Sequence, residues 1–72
     1  MQKTNEKKND ISEKEISFLK HISTEKTYKE IADEMGISER QTEYIRNCFF
    51  ERYNIKSRTA LAMLAMEKGL II

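Results

Sequence analysis

The sequence predicts an all-α domain of four helices. The helices are expected at about residues 12–23, 28–35, 39–53 and 58–68. The chain has 72 residues, no proline and only two glycines, a composition that suits helices and argues against a turn-rich β domain. Apolar residues recur at helical spacing, as at Ile16, Leu19 and Ile22, so the first helix has a face that belongs to a core.

Capping patterns set the helix boundaries. In a capping box, a serine or threonine side chain binds the first turn of a helix, and a glutamate or glutamine three residues later binds back. The three pairs are Ser12 with Glu15, Thr27 with Glu30, and Ser38 with Gln41. Ser57 is expected to cap the fourth helix. Gly36, Asn54 and Gly69 follow the last three helices, where a left-handed backbone conformation is common.

Segment 27–52 combines a short helix, a tight turn at Gly36 and a longer helix. Two helices joined by so short a link must cross steeply, and the small Ala32 lies where they would touch. Ile31 and Ile45 are apolar where the shared core would be. This is the layout of a helix-turn-helix, whose second helix enters the major groove of DNA. An ordinary helical hairpin fits the local pattern equally well.

The composition excludes several classes of function. One cysteine, Cys48, allows no internal disulfide, and the single His21 leaves no metal-ligand cluster. We interpret His21 as a surface residue without an acid partner. The sequence shows no nucleophile–base pair and no phosphate loop, so we expect no enzyme, no cofactor and no small-molecule ligand.

The chain also shows no sign of a membrane or secreted protein. No apolar run approaches the ~20 residues of a membrane span, and residues 1–10 are too polar for a secretory signal. We therefore expect a protein of the reducing cytoplasm, without a membrane partner. Residues 1–10 are interpreted as a flexible tail or linker, followed by a domain in residues 11–72.

The charge balance is unusual for a protein that binds nucleic acid. The 13 basic and 12 acidic side chains give a net charge of +1, and residues 1–10 carry that excess, so residues 11–72 are neutral. DNA-binding domains usually carry a basic excess. Any positive surface on this domain must therefore come from uneven placement of its charges.

The fourth predicted helix is apolar on nearly all sides. Residues 60–66 are all apolar, whereas a surface helix of a small domain normally keeps one polar face. If the rest of the helix packs inward, Ala62, Met63 and Met66 face outward. An exposed apolar patch favours a partner surface, here the interface of a homodimer. The alternative is tolerated exposure of small and scattered side chains.

Four motifs at fixed spacing resemble the LuxR-type helix-turn-helix family, the C-terminal DNA-binding domain of many bacterial response and quorum-sensing regulators. The motifs are Ile11-Ser12-Glu13-Lys14-Glu15, Lys29-Glu30-Ile31-Ala32 with Ile37-Ser38, Ile55-Lys56-Ser57-Arg58-Thr59, and Gly69-Leu70-Ile71. The resemblance runs without gaps from Ile11 to Ile71. It implies a four-helix domain whose third helix reads the major groove and whose fourth helix commonly forms the dimer contact.

The resemblance also implies which residues contact DNA. The positions that match base contacts are Glu43, Tyr44 and Asn47. The positions that match contacts to the DNA backbone are Lys29, Ser38, Gln41 and Arg58. The chain departs from the family's usual residues at Gln41, Thr42, Glu43 and Ile45. Because of these departures, the resemblance does not imply which DNA sequence is read.

The third helix also suits base edges for independent chemical reasons. Asn47 matches adenine through two hydrogen bonds, and Glu43 accepts one from cytosine N4. Tyr44 offers its ring to a thymine methyl, and Arg40 reaches guanine or a phosphate. Arg46 and Arg52 lie nearer the flank of the helix and suit DNA backbone contacts or ion pairs.

Ordinary structural roles are open for the same side chains. Glu43 could pair with Arg46 on the helix surface, Lys29 could pair with Asp33, and Tyr44 could pack on a neighbouring side chain.

These features predict a sequence-specific, DNA-binding transcription regulator of bacteria, or its DNA-binding domain, acting as a homodimer on double-stranded DNA. The alternative is a protein-interaction or dimerisation module that keeps the fold without binding DNA. The neutral domain charge and Glu43, which repels phosphate, favour that alternative.

Overall fold

A computed structural model describes residues 11–71, so the predicted tail in residues 1–10 lies outside the described residues. The helices are α1 (Glu13–Ile22), α2 (Tyr28–Met35), α3 (Glu39–Tyr53) and α4 (Arg58–Glu67). The predicted fold class is confirmed. α2 and α3 have the predicted bounds, whereas α1 is one residue shorter at each end and α4 ends one residue earlier, because Ser12, Ser23 and Lys68 are cap residues.

Two of the three capping boxes are complete. The Ser12 hydroxyl accepts from the Glu15 amide at 3.1 Å, and the Glu15 carboxylate accepts from the Ser12 amide at 3.1 Å. Thr27 and Glu30 form the same pair of bonds. The third box was predicted wrongly in part, because Ser38 accepts from the Gln41 amide at 3.0 Å but the described hydrogen bonds include no return bond from the Gln41 side chain. A neutral amide is a weaker acceptor than a carboxylate, so reaching back gains less.

Three helix ends share one geometry. Gly36, Asn54 and Gly69 have φ of 72°, 55° and 73°, as predicted from their tolerance of the left-handed region. After each of them, the next amide reaches back to a carbonyl five residues earlier, as Ile37 does to Ala32 at 3.0 Å. The Gly36 turn sets the direction in which α3 leaves α2.

Replacing Gly36 by alanine is expected to lower the free energy of unfolding by about 1–2 kcal/mol. An added Cβ would meet no atom within 4 Å, so the whole cost comes from holding a left-handed φ of 72°. Gly36→Asn is the control and should cost less, because asparagine visits this region more readily. Urea unfolding measures both. Equal stability of the alanine variant and the native protein would contradict this role of the turn.

All four helices contribute to one core. Its buried members are Phe18, Leu19, Ile22, Ile31, Ile45, Phe49, Leu61, Leu64 and Ala65. α2 packs on α3, and α1 packs on α4 and α2. Thr42 is also fully buried, and its hydroxyl donates to the Ser38 carbonyl at 3.2 Å. The hydroxyl therefore avoids the free-energy cost of a buried polar group without a hydrogen-bond partner.

Ion pairs connect helices that are distant in sequence. Arg52 at the end of α3 lies 3.1 Å from the Glu15 carboxylate on α1. Burial opposes ionisation of Glu15, but the bonds from Arg52 and Ser12 outweigh it and lower the pKa of this carboxyl. The pair therefore stabilises the fold at neutral pH, and its contribution is lost as the pH falls through that lowered pKa.

The interpretation of His21 as a residue without an acid partner was wrong. Its Nε2 atom lies 3.2 Å from the Glu34 carboxylate on α2, and Nδ1 lies 2.8 Å from the Ser17 carbonyl. Lys26 also reaches Glu34 at 2.8 Å and lowers the pKa of that carboxyl. The sequence could not show this cluster because the packing of α1 on α2 creates it.

Among the helices of residues 11–71, none combines the length and the apolar composition that a membrane crossing requires.

Candidate nucleic-acid interface

The α3 helix buries one side and exposes the other. Thr42, Ile45 and Phe49 lie in the core, at successive spacings of three and four residues that place them on one side of the helix. The exposed residues on this helix include Glu39, Arg40, Gln41, Glu43, Tyr44, Asn47 and Glu51. An outward face about four turns long is therefore available to a ligand, since α3 has 15 residues at 3.6 per turn.

The four predicted base-contact residues lie on one side of α3. Counted from Arg40, the next three residues follow after three, four and seven positions, a spacing that places all four on the same side of a helix. They are Glu43, Tyr44 and Asn47. Tyr44 is 68% exposed and does not pack into the core. The structure thus brings together side chains that donate, accept and offer an apolar surface.

Tyr44 has one neighbour that affects its chemistry. A hydrogen bond with the Cys48 thiol, one turn further along α3, raises the pKa of the Tyr44 phenol. The phenol is neutral at physiological pH with or without this shift, since an ordinary tyrosine has a pKa of about 10. Cys48 itself is half-buried, in agreement with a small structural residue.

The predicted DNA backbone contacts divide into two groups. Lys29 near the start of α2, and Ser38 and Gln41 at the amino end of α3, are all exposed. The first N–H groups of this helix have no partner within it, which favours an anion. Lys29 pairs with Asp33 at 3.6 Å, as its ordinary structural role predicts, but it remains 74% exposed and accessible to a phosphate.

Arg46 and Arg58 form the second group, and both are half-buried. Arg58 donates from Nε to the Ile22 carbonyl at 3.0 Å and from its terminal nitrogen to the Thr24 carbonyl at 2.7 Å. This side chain therefore closes the carboxyl end of α1, a structural role that the sequence analysis missed. No local pattern reveals it, because the partners lie more than 30 residues earlier in the chain.

Arg46 is held by aromatic rings. Its guanidinium carbon lies 5.4 Å from the centre of the Tyr28 ring and 5.7 Å from that of Phe50. The pairing of Glu43 with Arg46 is not found among the described ion pairs. Instead, Arg46 donates from Nε to the Asn47 side-chain oxygen at 3.2 Å.

Charges of both signs surround the exposed side of α3. Glu39, Glu43 and Glu51 are exposed carboxylates on this helix, while Arg40 near its amino end and Arg52 near its carboxyl end are exposed cations. Arg40 forms no ion pair with another described residue. Exposed charges of both signs are therefore mixed along α3, and residues 11–72 as a whole are neutral.

A short helix, a left-handed glycine turn and a longer exposed helix, supported by two further helices, define a helix-turn-helix domain. The family model GerE, described as bacterial regulatory proteins of the luxR family, matches residues 9–65. The chain therefore belongs to the LuxR family, as its motifs indicated. No curated protein and no solved structure matches it. Domains of this family are DNA-binding domains of transcription regulators and are generally not enzymes.

Proposed function

We propose that this domain binds duplex DNA sequence-specifically by placing α3 in the major groove. The observation that carries the proposal is the division of α3 into a buried side and an exposed side that groups Arg40, Glu43, Tyr44 and Asn47. A major groove about 12 Å wide admits a helix, and base edges there match amide, carboxylate and guanidinium groups.

Contacts to phosphates would fix the position of the domain on the duplex. Ser38, Gln41 and the free N–H groups lie at the start of α3, where a phosphate is favoured, and Lys29 adds an exposed cation on α2. Because the domain is neutral overall, this attraction depends on a few local cations. The base contacts then supply a larger share of the affinity than in a strongly basic domain.

We also propose that the domain acts as a homodimer through α4. Met63 and Met66 are 57% and 56% exposed, and Ala62 is half-buried beside them. A groove of about 260 Å³ adjoins Met63, and it is lined by Tyr53, Ile55, Ala60, Met63, Leu64 and Glu67. A second copy covering this patch would place two α3 helices on two half-sites. We also propose that the protein acts in the bacterial cytoplasm, where its duplex ligand would be found.

Selection of binding sites from random duplex DNA at two salt concentrations tests the proposed function. We expect enrichment of a site with two related halves, and weaker binding at the higher salt. Absence of any enriched sequence at both salt concentrations would contradict sequence-specific binding.

Replacing Lys29 by alanine should weaken binding to all duplexes alike and reduce the salt slope by about one unit. The reason is the loss of one cation, because Lys29 would leave its ion pair with Asp33 and contact a phosphate on binding DNA. Lys68→Ala is the matched control, because Lys68 lies over the Tyr53 ring at the far end of α3. Titrations of one duplex over a salt series measure the slope. An unchanged slope in the Lys29 variant would remove this residue from the phosphate contacts.

A protein-interaction module is the second candidate function. The exposed carboxylates Glu39, Glu43 and Glu51 favour it, since they repel phosphates from the same helix. In that case α4 would bind a partner protein and the random-duplex selection would enrich nothing.

A further inference from the structure

A stack of one tyrosine and two arginines lies behind the exposed side of α3. Tyr28 begins α2, and the guanidinium carbons of Arg46 and Arg58 lie 5.4 Å and 5.5 Å from the centre of its ring. Arg46 belongs to α3, whereas Arg58 begins α4 and donates to carbonyls at the end of α1. The Tyr28 stack, meaning these three side chains, therefore connects all four helices.

The Tyr28 stack ends at a predicted base-contact residue. Arg46 donates from Nε to the side-chain oxygen of Asn47 at 3.2 Å. Consecutive side chains of a helix normally point in different directions and do not meet. They meet here because the rings of Tyr28 and Phe50 hold the Arg46 guanidinium on one flank of the helix.

The chemistry of this contact fixes the orientation of the Asn47 amide. An arginine Nε–H group can only donate, so the amide atom that faces it must be the oxygen. The NH₂ group lies on the other side of the planar amide, away from Arg46. Asn47 therefore offers two donors to a ligand on its exposed side, while part of its acceptor capacity is already used.

We propose that Arg46 is a positioning residue that makes Asn47 select guanine. The inference rests on the proposed major-groove function. Guanine presents two acceptors, N7 and O6, which match an NH₂ group, whereas adenine presents one acceptor and one donor. Pairing of Asn47 with adenine, which the sequence alone suggests, would have to share the amide oxygen that already accepts from Arg46.

The test compares affinities for two duplexes that differ only by guanine or adenine at one position. That position is the one where selected sites lose their preference in the Asn47→Ala variant. The native protein should favour guanine by about 5- to 150-fold. Arg46→Met frees the amide and should shift the preference toward adenine at this position alone. Tyr28→Leu should act in the same direction, while the conservative Tyr28→Phe keeps the ring and should keep the guanine preference.

Three results would overturn the proposal. One is a native preference for adenine or no preference at that position. Another is an Arg46→Met variant that has the circular dichroism of the native protein but binds both duplexes more weakly by the same factor, as loss of a phosphate contact would cause. The third concerns the hydrogen bond between Arg46 and Asn47 and is measured without DNA. The Arg46 Nε–H proton should exchange with water faster in the Asn47→Ala variant than in the native protein. Equal exchange rates would contradict the hydrogen bond. If the native protein selects no duplex at all, the proposed function fails, and the guanine preference fails with it.

Discussion

Replacing Phe49 by alanine is expected to unfold the domain at ordinary temperature. Phe49 is fully buried, and its ring stacks on Phe18 and Tyr53 with centroid distances of 5.9 Å. Truncating a buried phenylalanine costs about 3–5 kcal/mol. A single core in a domain of this size rarely supplies more than about 3–5 kcal/mol in total. The loss is therefore comparable with the whole stability.

Circular dichroism during thermal unfolding measures this effect. The native protein should show a cooperative transition, and the Phe49→Ala variant should show little helix and no DNA binding. Cys48→Ala is the matched control, because it changes the neighbouring, half-buried residue of the same helix and should leave folding intact. A cooperative transition of Phe49→Ala close to that of the native protein would contradict the central place of this ring.

Replacing both Met63 and Met66 by glutamate is expected to give a monomer. These side chains are the large exposed apolar groups of α4, and two carboxylates there would face their own copies across a twofold interface. Losing the link between two binding domains removes about 10²–10⁴-fold of avidity. Affinity for a duplex with two half-sites should fall by that factor, while affinity for a single half-site should barely change.

Sedimentation equilibrium and duplex titrations measure these two quantities. The control replaces both methionines by glutamine, which removes apolar surface without adding charge near the DNA. It should also weaken the dimer, and its binding to a single half-site should equal that of the native protein. A glutamate variant that remains dimeric would exclude α4 as the interface.

Local signals explain why so much of the fold could be predicted. A cap such as Thr27 with Glu30 involves residues three positions apart, and the left-handed turn at Gly36 depends on one residue type. Such features are visible in the sequence without knowledge of packing. The one capping error, at Gln41, concerns whether a neutral side chain completes a bond, which residue type alone does not decide.

Contacts between helices could not be predicted in the same way. Arg52 donates to the Glu15 carboxylate, which lies 37 positions earlier in the chain. Arg58 donates to the Ile22 carbonyl, which lies 36 positions earlier. The sequence assigned Arg58 to DNA from its motif alone, whereas the structure shows two of its donors bound to α1 carbonyls. Its contact with DNA stays a prediction. The N–H donors of Arg58 that do not bind α1 carbonyls would make that contact.

The candidate site shows the same limit. The sequence named Arg40, Glu43, Tyr44 and Asn47 as candidates for base contacts, and their spacing places them on one exposed side of α3. The spacing could not show that Arg46 reaches Asn47, because that contact depends on the Tyr28 ring of another helix. The common side of these candidate residues was therefore accessible from the sequence, whereas the orientation of one side chain among them was not.

We propose that the exposed side of α3 is the surface that meets DNA, and amide NMR spectra recorded during titration with a selected duplex test this. The largest shift changes should fall on Arg40, Glu43, Tyr44 and Asn47, with smaller changes at Lys29. Changes confined to α4 around Met63 and Met66, or none at a saturating duplex concentration, would contradict the claim.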